Sequence, residues 1–153
     1  MTSIINLEFS VRPNQDDPSG FDLGDITVSG DGGSADSRGH TPDQGMMIYL
    51  TVALLLNNLA GMIKNGHRFL NFIGVDTSFG IEFHRNKRGI SVSSGGKKIA
   101  NSTPRELTAE ILRAAEKLAE SDLSRITESD APKSDYIDAL TNFRTLAAST
   151  QGS

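Results

Sequence analysis

Short segments in which apolar and polar residues alternate make up the first part and the middle of the chain. Residues 5–11 place an apolar side chain at every second position, which is typical of a half-buried β-strand. A second run spans residues 21–28, and its phase changes at Gly24 and Asp25, where we predict a β-bulge. Between residues 69 and 100, several short runs are linked by turns such as RNKRG and SSGG. This arrangement predicts an antiparallel meander.

The apolar run between these two regions does not alternate and predicts a long helix. Thr41 is a suitable N-cap, Pro42 suits the first helical position, and Gly66 is a typical glycine at a helix C-terminus. Apolar side chains occupy nearly every side of the first half of this segment. We therefore expect the helix to be covered on most sides, with Leu50 and Leu54 in the core.

Two further helices are predicted toward the C-terminus. The sequence TPRE, with Thr103 as N-cap and Pro104 after it, nearly repeats the TPDQ that begins the long helix. Apolar residues then recur at spacings of three and four, as in an amphipathic helix that packs on one side. The last helix is predicted from Ser134 to about Ala148. We also expect Phe83, in the middle of the meander, to be buried.

These elements predict an α+β fold, in which a mainly antiparallel sheet of five or six strands packs on one long apolar helix, with two further C-terminal helices. A chain of 153 residues can form one domain without a metal or a disulfide. We therefore predict a single domain over residues 1–153, divided into N-terminal strands 3–29, loop 30–41, long helix 42–65, antiparallel meander 68–100 and C-terminal helices 103–148.

Composition limits the compartment and the chemistry. The chain contains no cysteine, which excludes disulfides, thiol nucleophiles and the common structural zinc sites. The N-terminal sequence lacks the basic and apolar regions of a secretory signal, so we predict a cytoplasmic protein. The most apolar run, residues 46–56, is shorter than the roughly 20 apolar residues of a membrane span. We therefore predict no membrane partner.

The segment from Ser29 to Asp43 is rich in glycine and aspartate and leads into the long helix. Phosphate binding here is disfavoured, because no lysine follows the glycines and the aspartates would repel an anion. Asp22, Asp25, Asp31 and Asp36 could bind calcium or magnesium, but their spacing does not match an EF-hand loop, so we predict neither a metal nor a cofactor. One interpretation is a solvated connection. We favour a recognition loop, since long loops in compact domains usually bind something, and predict five binding residues: Asp31, Asp36, Arg38, His40 and Asp43.

No catalytic residue is predicted. His40 and His67 flank the long helix, and His84 falls on the outer face of a predicted strand. No serine is surrounded by the glycines of a nucleophile elbow. The glutamates of the second helix lie on its polar side and are typical of a solvated face.

Charge is unevenly distributed along the chain. Residues 1–60 carry eight acidic and two basic side chains, residues 61–100 carry two and seven, and residues 101–153 carry nine and six. The overall acidity and the lack of interleaved aromatic residues disfavour nucleic-acid binding. We interpret the basic residues mainly as solubilising two hairpin tips. They are Arg85, Lys87, Arg88, Lys97 and Lys98.

These observations favour a non-catalytic protein–protein binding module, such as an immunity, inhibitor-type or accessory protein. Its partner would be another protein or a second copy of itself, and the acidic N-terminal third would face a basic partner. We expect a homodimer, because the long helix carries more apolar surface than one small sheet can cover. The alternative is a small-molecule- or divalent-metal-dependent enzyme with its site at the Asp/Gly-rich loop 29–43.

Overall fold

The computed structural model describes residues 5–13, 15, 17–40 and 42–150, without the side chain of residue 122. The strands are β1 Ile5–Val11, β2 Leu23–Gly30, β3 Gly33–Asp36, β4 Met46–Met47, β5 Phe69–Ile73, β6 Gly80–Asn86, β7 Gly89–Ser94 and β8 Lys97–Ser102. The helices are α1 Ile48–Asn65, α2 Pro104–Asp122 and α3 Ala131–Thr150, with a short 3-10 turn at Leu123–Arg125. Strand pairing in these ranges is antiparallel, which confirms the predicted α+β class.

The strands form two four-stranded sheets, so the prediction of one sheet of five or six strands was wrong. In the first sheet β1 pairs with one edge of β2, and β3 and β4 share the other edge. The second sheet is the meander β5-β6-β7-β8 in chain order. Alternation identifies strands but not their partners. The two strands that complete the first sheet are a polar GSAD segment and a pair of methionines, which carry no alternating pattern.

Helix α1 begins at Ile48, and the predicted start at Pro42 was wrong. The residues before it form β4, whose backbone groups pair with the beginning of β2 instead of entering a helix. Gly45 also approaches Arg12 closely, and a Cβ at this position would lie 2.4 Å from guanidinium atoms. Tertiary pairing therefore overrides the local capping signal. The predicted cap, Thr41, lies outside the described residues.

Other predicted helix ends are confirmed. Gly66 ends α1 in the left-handed conformation with φ 68°, and its N–H donates to the carbonyl of Met62. Thr103 caps α2, and its Oγ1 accepts a hydrogen bond from the backbone N–H of Glu106 at 3.1 Å. Both ends are set by side chains or backbone within one turn of the helix, which is why the sequence predicts them.

Helix α3 begins at Ala131, three positions before the predicted Ser134. The carboxylate of Asp130 accepts a hydrogen bond from the N–H of Lys133 at 3.1 Å and acts as the cap. The apolar stripe from which the helix was predicted begins only about one helical turn after Ala131. Among the described residues, no helix combines the length and the hydrophobicity that crossing a membrane requires.

The predicted loop 30–41 contains β3, and the predicted bulge is in a different place. β1 and β2 pair without a register shift through Gly24 and Asp25, so the prediction there was wrong. The apolar pattern changes phase because Leu23, which is 38% exposed, lies on the opposite face of β2 from the buried Ile26 and Val28. The register shift lies in the second sheet, between Val92 and Ser93.

Buried residues from both sheets and the three helices form one contiguous hydrophobic cluster. Helix α1 packs mainly against α3, and α2 packs against β1 and α3, so the packing differs from the predicted sheet on a single helix. Phe83 is fully buried, as predicted. Leu50 is half-buried and Leu54 is 40% exposed. The prediction for Leu54 was wrong because this side of α1 is left uncovered within the chain.

Candidate functional site

Three of the five predicted binding residues form a local cluster at the end of β3. The guanidinium of Arg38 donates to both carboxylate oxygens of Asp36, with an Nη2–Oδ2 distance of 2.8 Å. This hydrogen bonding lowers the pKa of Asp36 below its usual value. His40 Nε2 lies 2.7 Å from the backbone oxygen of Asp36. These contacts stay within the segment, so they order the loop and largely compensate its charge.

Asp43, the fourth predicted residue, belongs to a network centred on Arg12. Two guanidinium nitrogens each donate to Asp43 at 2.8 Å, and Nε and Nη2 donate to Asp25 at 2.9 and 3.0 Å. Asp25 is buried and accepts a further bond from Ser37 Oγ at 2.7 Å. The bonds from Arg12 and from the N–H of Gly45 hold the pKa of Asp43 well below its usual value. The hydrogen bonds of Arg12 to Asp25 and Asp43 therefore link separate segments of the first sheet.

Asp31, the fifth predicted residue, lies at the turn between β2 and β3. Its carboxylate forms no ion pair within the described part of the chain. The N–H of Gly32 donates to the backbone oxygen of Ile99 at 2.8 Å, which docks the turn onto β8. A Cβ on Gly32 would lie 2.6 Å from the backbone oxygen of Lys98, so this approach requires glycine. The loop therefore carries Asp31 to the junction of the two sheets.

A groove of about 710 Å³ opens at this junction. Its walls are the β2–β3 turn, the β6–β7 turn and β8. Lys87, Arg88 and Lys98 line it, and none of the three forms an ion pair within the described residues. The carboxylate that lines it is that of Asp31. The groove therefore has an excess of positive charge.

Hydrogen bonds hold the β6–β7 turn against β8. Asn86 Nδ2 donates to Asn101 Oδ1, and Asn101 Nδ2 donates to the backbone oxygen of Arg88, both at 3.3 Å. The N–H of Arg88 donates in turn to Asn86 Oδ1 at 2.8 Å. Ile99 and Ala100 are buried and line the same groove. Lys87 and Arg88 thus extend from an ordered turn.

The groove has the chemistry of a site for an anionic ligand. In the sequence, its cations belong to two predicted hairpin tips. The structure brings Lys98, from the second tip, into the same groove as Lys87 and Arg88 of the first. The only signal in the sequence was the positive charge of residues 61–100. No local sequence pattern predicts that the turn carrying Asp31 forms the opposite wall of the groove.

A metal site has no support in the described ranges 5–13, 15, 17–40 and 42–150. No group of three histidine, aspartate or glutamate side chains there is arranged to hold an ion. The four aspartates considered as ligands are dispersed. Asp25 contacts Arg12, Asp36 contacts Arg38, Asp31 lies at the groove, and Asp22 accepts a hydrogen bond from the N–H of Ser19.

Comparison of the chain with protein-family models, with curated proteins and with solved structures found no match.

Proposed function

We propose that the protein is a non-catalytic binding module that holds an acidic segment of a partner protein in the groove between its two sheets. The observation that carries this proposal is the convergence of Lys87, Arg88 and Lys98 on one groove, in which Asp31 is the one lining carboxylate among the described residues. Uncompensated charge in a concave surface attracts and orients a ligand of the opposite sign. By binding such a segment, the protein would act on its partner as an inhibitor or as an accessory protein.

The sign of the partner's charge follows from which charges are already paired inside the chain. Arg12 bonds to both Asp25 and Asp43 and compensates one of their two charges, and Arg38 compensates Asp36. The acidic N-terminal third therefore presents fewer free carboxylates than its composition suggests. The groove cations have no ion-pair partner in the part of the chain that the structure describes, so an acidic ligand fits this surface better than a basic one.

A protein segment fits the groove better than a nucleic acid. Among the described residues, no aromatic side chain lines the groove to stack on a base. Asp31 at the rim and the net charge of −4 oppose any anion, and this repulsion is greatest for a nucleic acid, which carries a charge on every phosphate. A peptide rich in aspartate and glutamate can place its carboxylates on Lys87, Arg88 and Lys98.

Fluorescence anisotropy with a short labelled peptide rich in aspartate and glutamate tests this proposal. We expect binding that weakens as salt is added, because the cations are exposed and screened. The double variant Lys87→Ala/Lys98→Ala should bind at least about tenfold more weakly, which corresponds to a loss of about 1.4 kcal/mol. The matched control Lys64→Ala removes an exposed lysine at the end of α1 and should bind like the wild type.

Three results would contradict the proposal. They are the absence of binding at low salt, an equal loss in the Lys64→Ala control, and tighter binding of a single-stranded oligonucleotide than of the acidic peptide. A thermal shift produced by a nucleotide or a divalent ion, without peptide binding, would favour the enzyme alternative instead.

A further inference from the structure

We infer that β5 is a self-pairing edge, through which two copies of the chain form a dimer with one continuous sheet. This inference goes beyond the proposed function and does not depend on it, because β5 and the groove strand β8 lie at opposite edges of the second sheet.

The backbone of β5 has an open side. The N–H of Arg85 donates to the oxygen of Arg68, and the N–H of Gly74 donates to the oxygen of Phe79, so even-numbered positions of this strand bond to β6. In an antiparallel pair the intervening residues direct their N–H and C=O groups away from that partner. These residues are Phe69, Asn71 and Ile73. Within the described part of the chain, no other group bonds to their backbone.

The side chains at this edge are apolar and exposed. Phe69 is 57% exposed and Ile73 is 52% exposed. Edge strands that remain single usually carry a charge, a proline or a bulge that prevents pairing. The five residues of β5, FLNFI, contain no charge and no proline, and β5 pairs with β6 without a register shift. The strand therefore has the properties of one that is paired in the functional protein.

A second copy fits this edge because the strand has the same pattern in both directions. FLNFI is two large apolar residues, Asn71, and two large apolar residues. Antiparallel pairing about Asn71 places Phe69 opposite Ile73 of the other copy, so that every outward N–H meets an outward C=O. Leu70, which is half-buried, then lies beside Phe72 of the other copy. The amides of the two Asn71 side chains meet on the two-fold axis and favour this register over a shifted one.

The charges at the two ends of the strand are also complementary. Arg68 precedes β5 and Asp76 follows it, both are exposed, and neither forms an ion pair in the described residues. In the proposed register, Arg68 lies opposite Gly74 of the other copy, close to its Asp76. The two-fold symmetry produces this pair twice. An unrelated extended peptide would have to supply the same pattern by chance.

Sedimentation velocity over a concentration series up to the millimolar range tests the dimer. A short paired strand forms a small interface, so we expect reversible dimerisation in the micromolar range. Ile73→Lys should leave a monomer throughout the series. Asn71→Pro should do the same, since it removes an N–H that faces outward and proline is tolerated at such a position. The control Ile137→Lys changes an apolar residue of similar exposure, 41%, on α3, and should still dimerise.

Cross-linking tests the register, because the chain contains no cysteine. The Cα atoms of a hydrogen-bonded antiparallel pair lie about 5.5 Å apart, within the range of roughly 4.4–6.8 Å that a disulfide spans. Asn71→Cys should therefore form an intermolecular disulfide under mild oxidation. The control Glu82→Cys lies one strand further from the axis, at a separation of about 15 Å, and should not.

Circular dichroism and thermal melting establish that each variant is folded before its dimerisation or cross-linking is compared with that of the wild type. A wild-type chain that stays monomeric over the whole series would overturn the inference. So would a dimer that persists in both edge variants, or one that the Ile137→Lys change abolishes. A dimer in which Asn71→Cys and Glu82→Cys cross-link equally would overturn the proposed register.

Discussion

The guanidinium of Arg12 contacts the buried carboxylate of Asp25 through two hydrogen bonds, with N–O distances of 2.9 and 3.0 Å. Asp25 is 4% exposed and is further bonded by Ser37 Oγ, which itself accepts the N–H of Ile26 at 3.1 Å. Arg12 follows β1, Asp25 lies in β2, and Ser37 follows β3. One buried carboxylate thus connects three strands of the first sheet.

Removing this carboxylate should destabilise the fold. We expect Asp25→Ala to lower the free energy of unfolding by about 3 kcal/mol, because it leaves the donors of Arg12 and Ser37 without their acceptor. Urea denaturation measures this difference. The control Asp31→Ala removes an exposed carboxylate without an ion pair and should change stability by less than about 0.5 kcal/mol. A loss of less than about 1 kcal/mol in Asp25→Ala would show that the pair contributes little.

The ion pair between Arg12 and Asp43 should make stability depend on pH. Hydrogen bonds from Arg12, followed by that from Gly45, keep the pKa of Asp43 in the folded state well below its usual value. The carboxylate therefore stabilises the fold above its unfolded pKa of about 4, and this contribution is lost as pH falls toward the folded value. We expect the difference in Tm between wild type and Asp43→Asn to be largest near neutral pH and to shrink below about pH 4.

Thermal melts followed by circular dichroism at a series of pH values measure this difference. Asp31→Asn serves as the matched control and should have a Tm close to that of the wild type at each pH. A Tm difference for Asp43→Asn that stays constant from neutral pH to acid would contradict the assignment of this effect to Asp43.

Adjacent leucines of α1 should respond very differently to truncation. Leu55 is fully buried, whereas Leu54 is 40% exposed. We expect Leu55→Ala to cost about 3 kcal/mol of stability through lost packing and a cavity, and Leu54→Ala to cost about 1 kcal/mol or less. Chemical denaturation of the two variants provides the comparison. Equal losses would indicate that Leu54 is covered in solution, for example by another chain.

The cap of α2 should contribute a defined increment of stability. Thr103 Oγ1 accepts the N–H of Glu106 and its hydroxyl donates to the Glu106 carboxylate at 2.9 Å. We expect Thr103→Ala to cost about 1 kcal/mol. Thr145→Ala, an exposed change in the interior of α3, should be neutral or slightly stabilising, because alanine has the higher helix propensity. Similar stabilities of the two variants in urea would argue against the cap.

By itself, the sequence determined the features that depend on neighbours along the chain. The alternation in β1, the end of α1 at Gly66 and the cap of α2 at Thr103 were all predicted, because strand period and helix capping act over a few residues. The amino-acid composition also showed that residues 61–100 carry a net positive charge.

Only the tertiary structure decided which distant residues meet. It placed β4 beside β2, so that α1 begins at Ile48 although TPDQ is a good local helix start. It also paired Asp43 with Arg12, and brought Asp31 together with Lys87 and Lys98 around one groove. These outcomes depend on hydrogen bonds and packing between residues far apart in the chain, and their energy exceeds the small local preferences that a sequence pattern records.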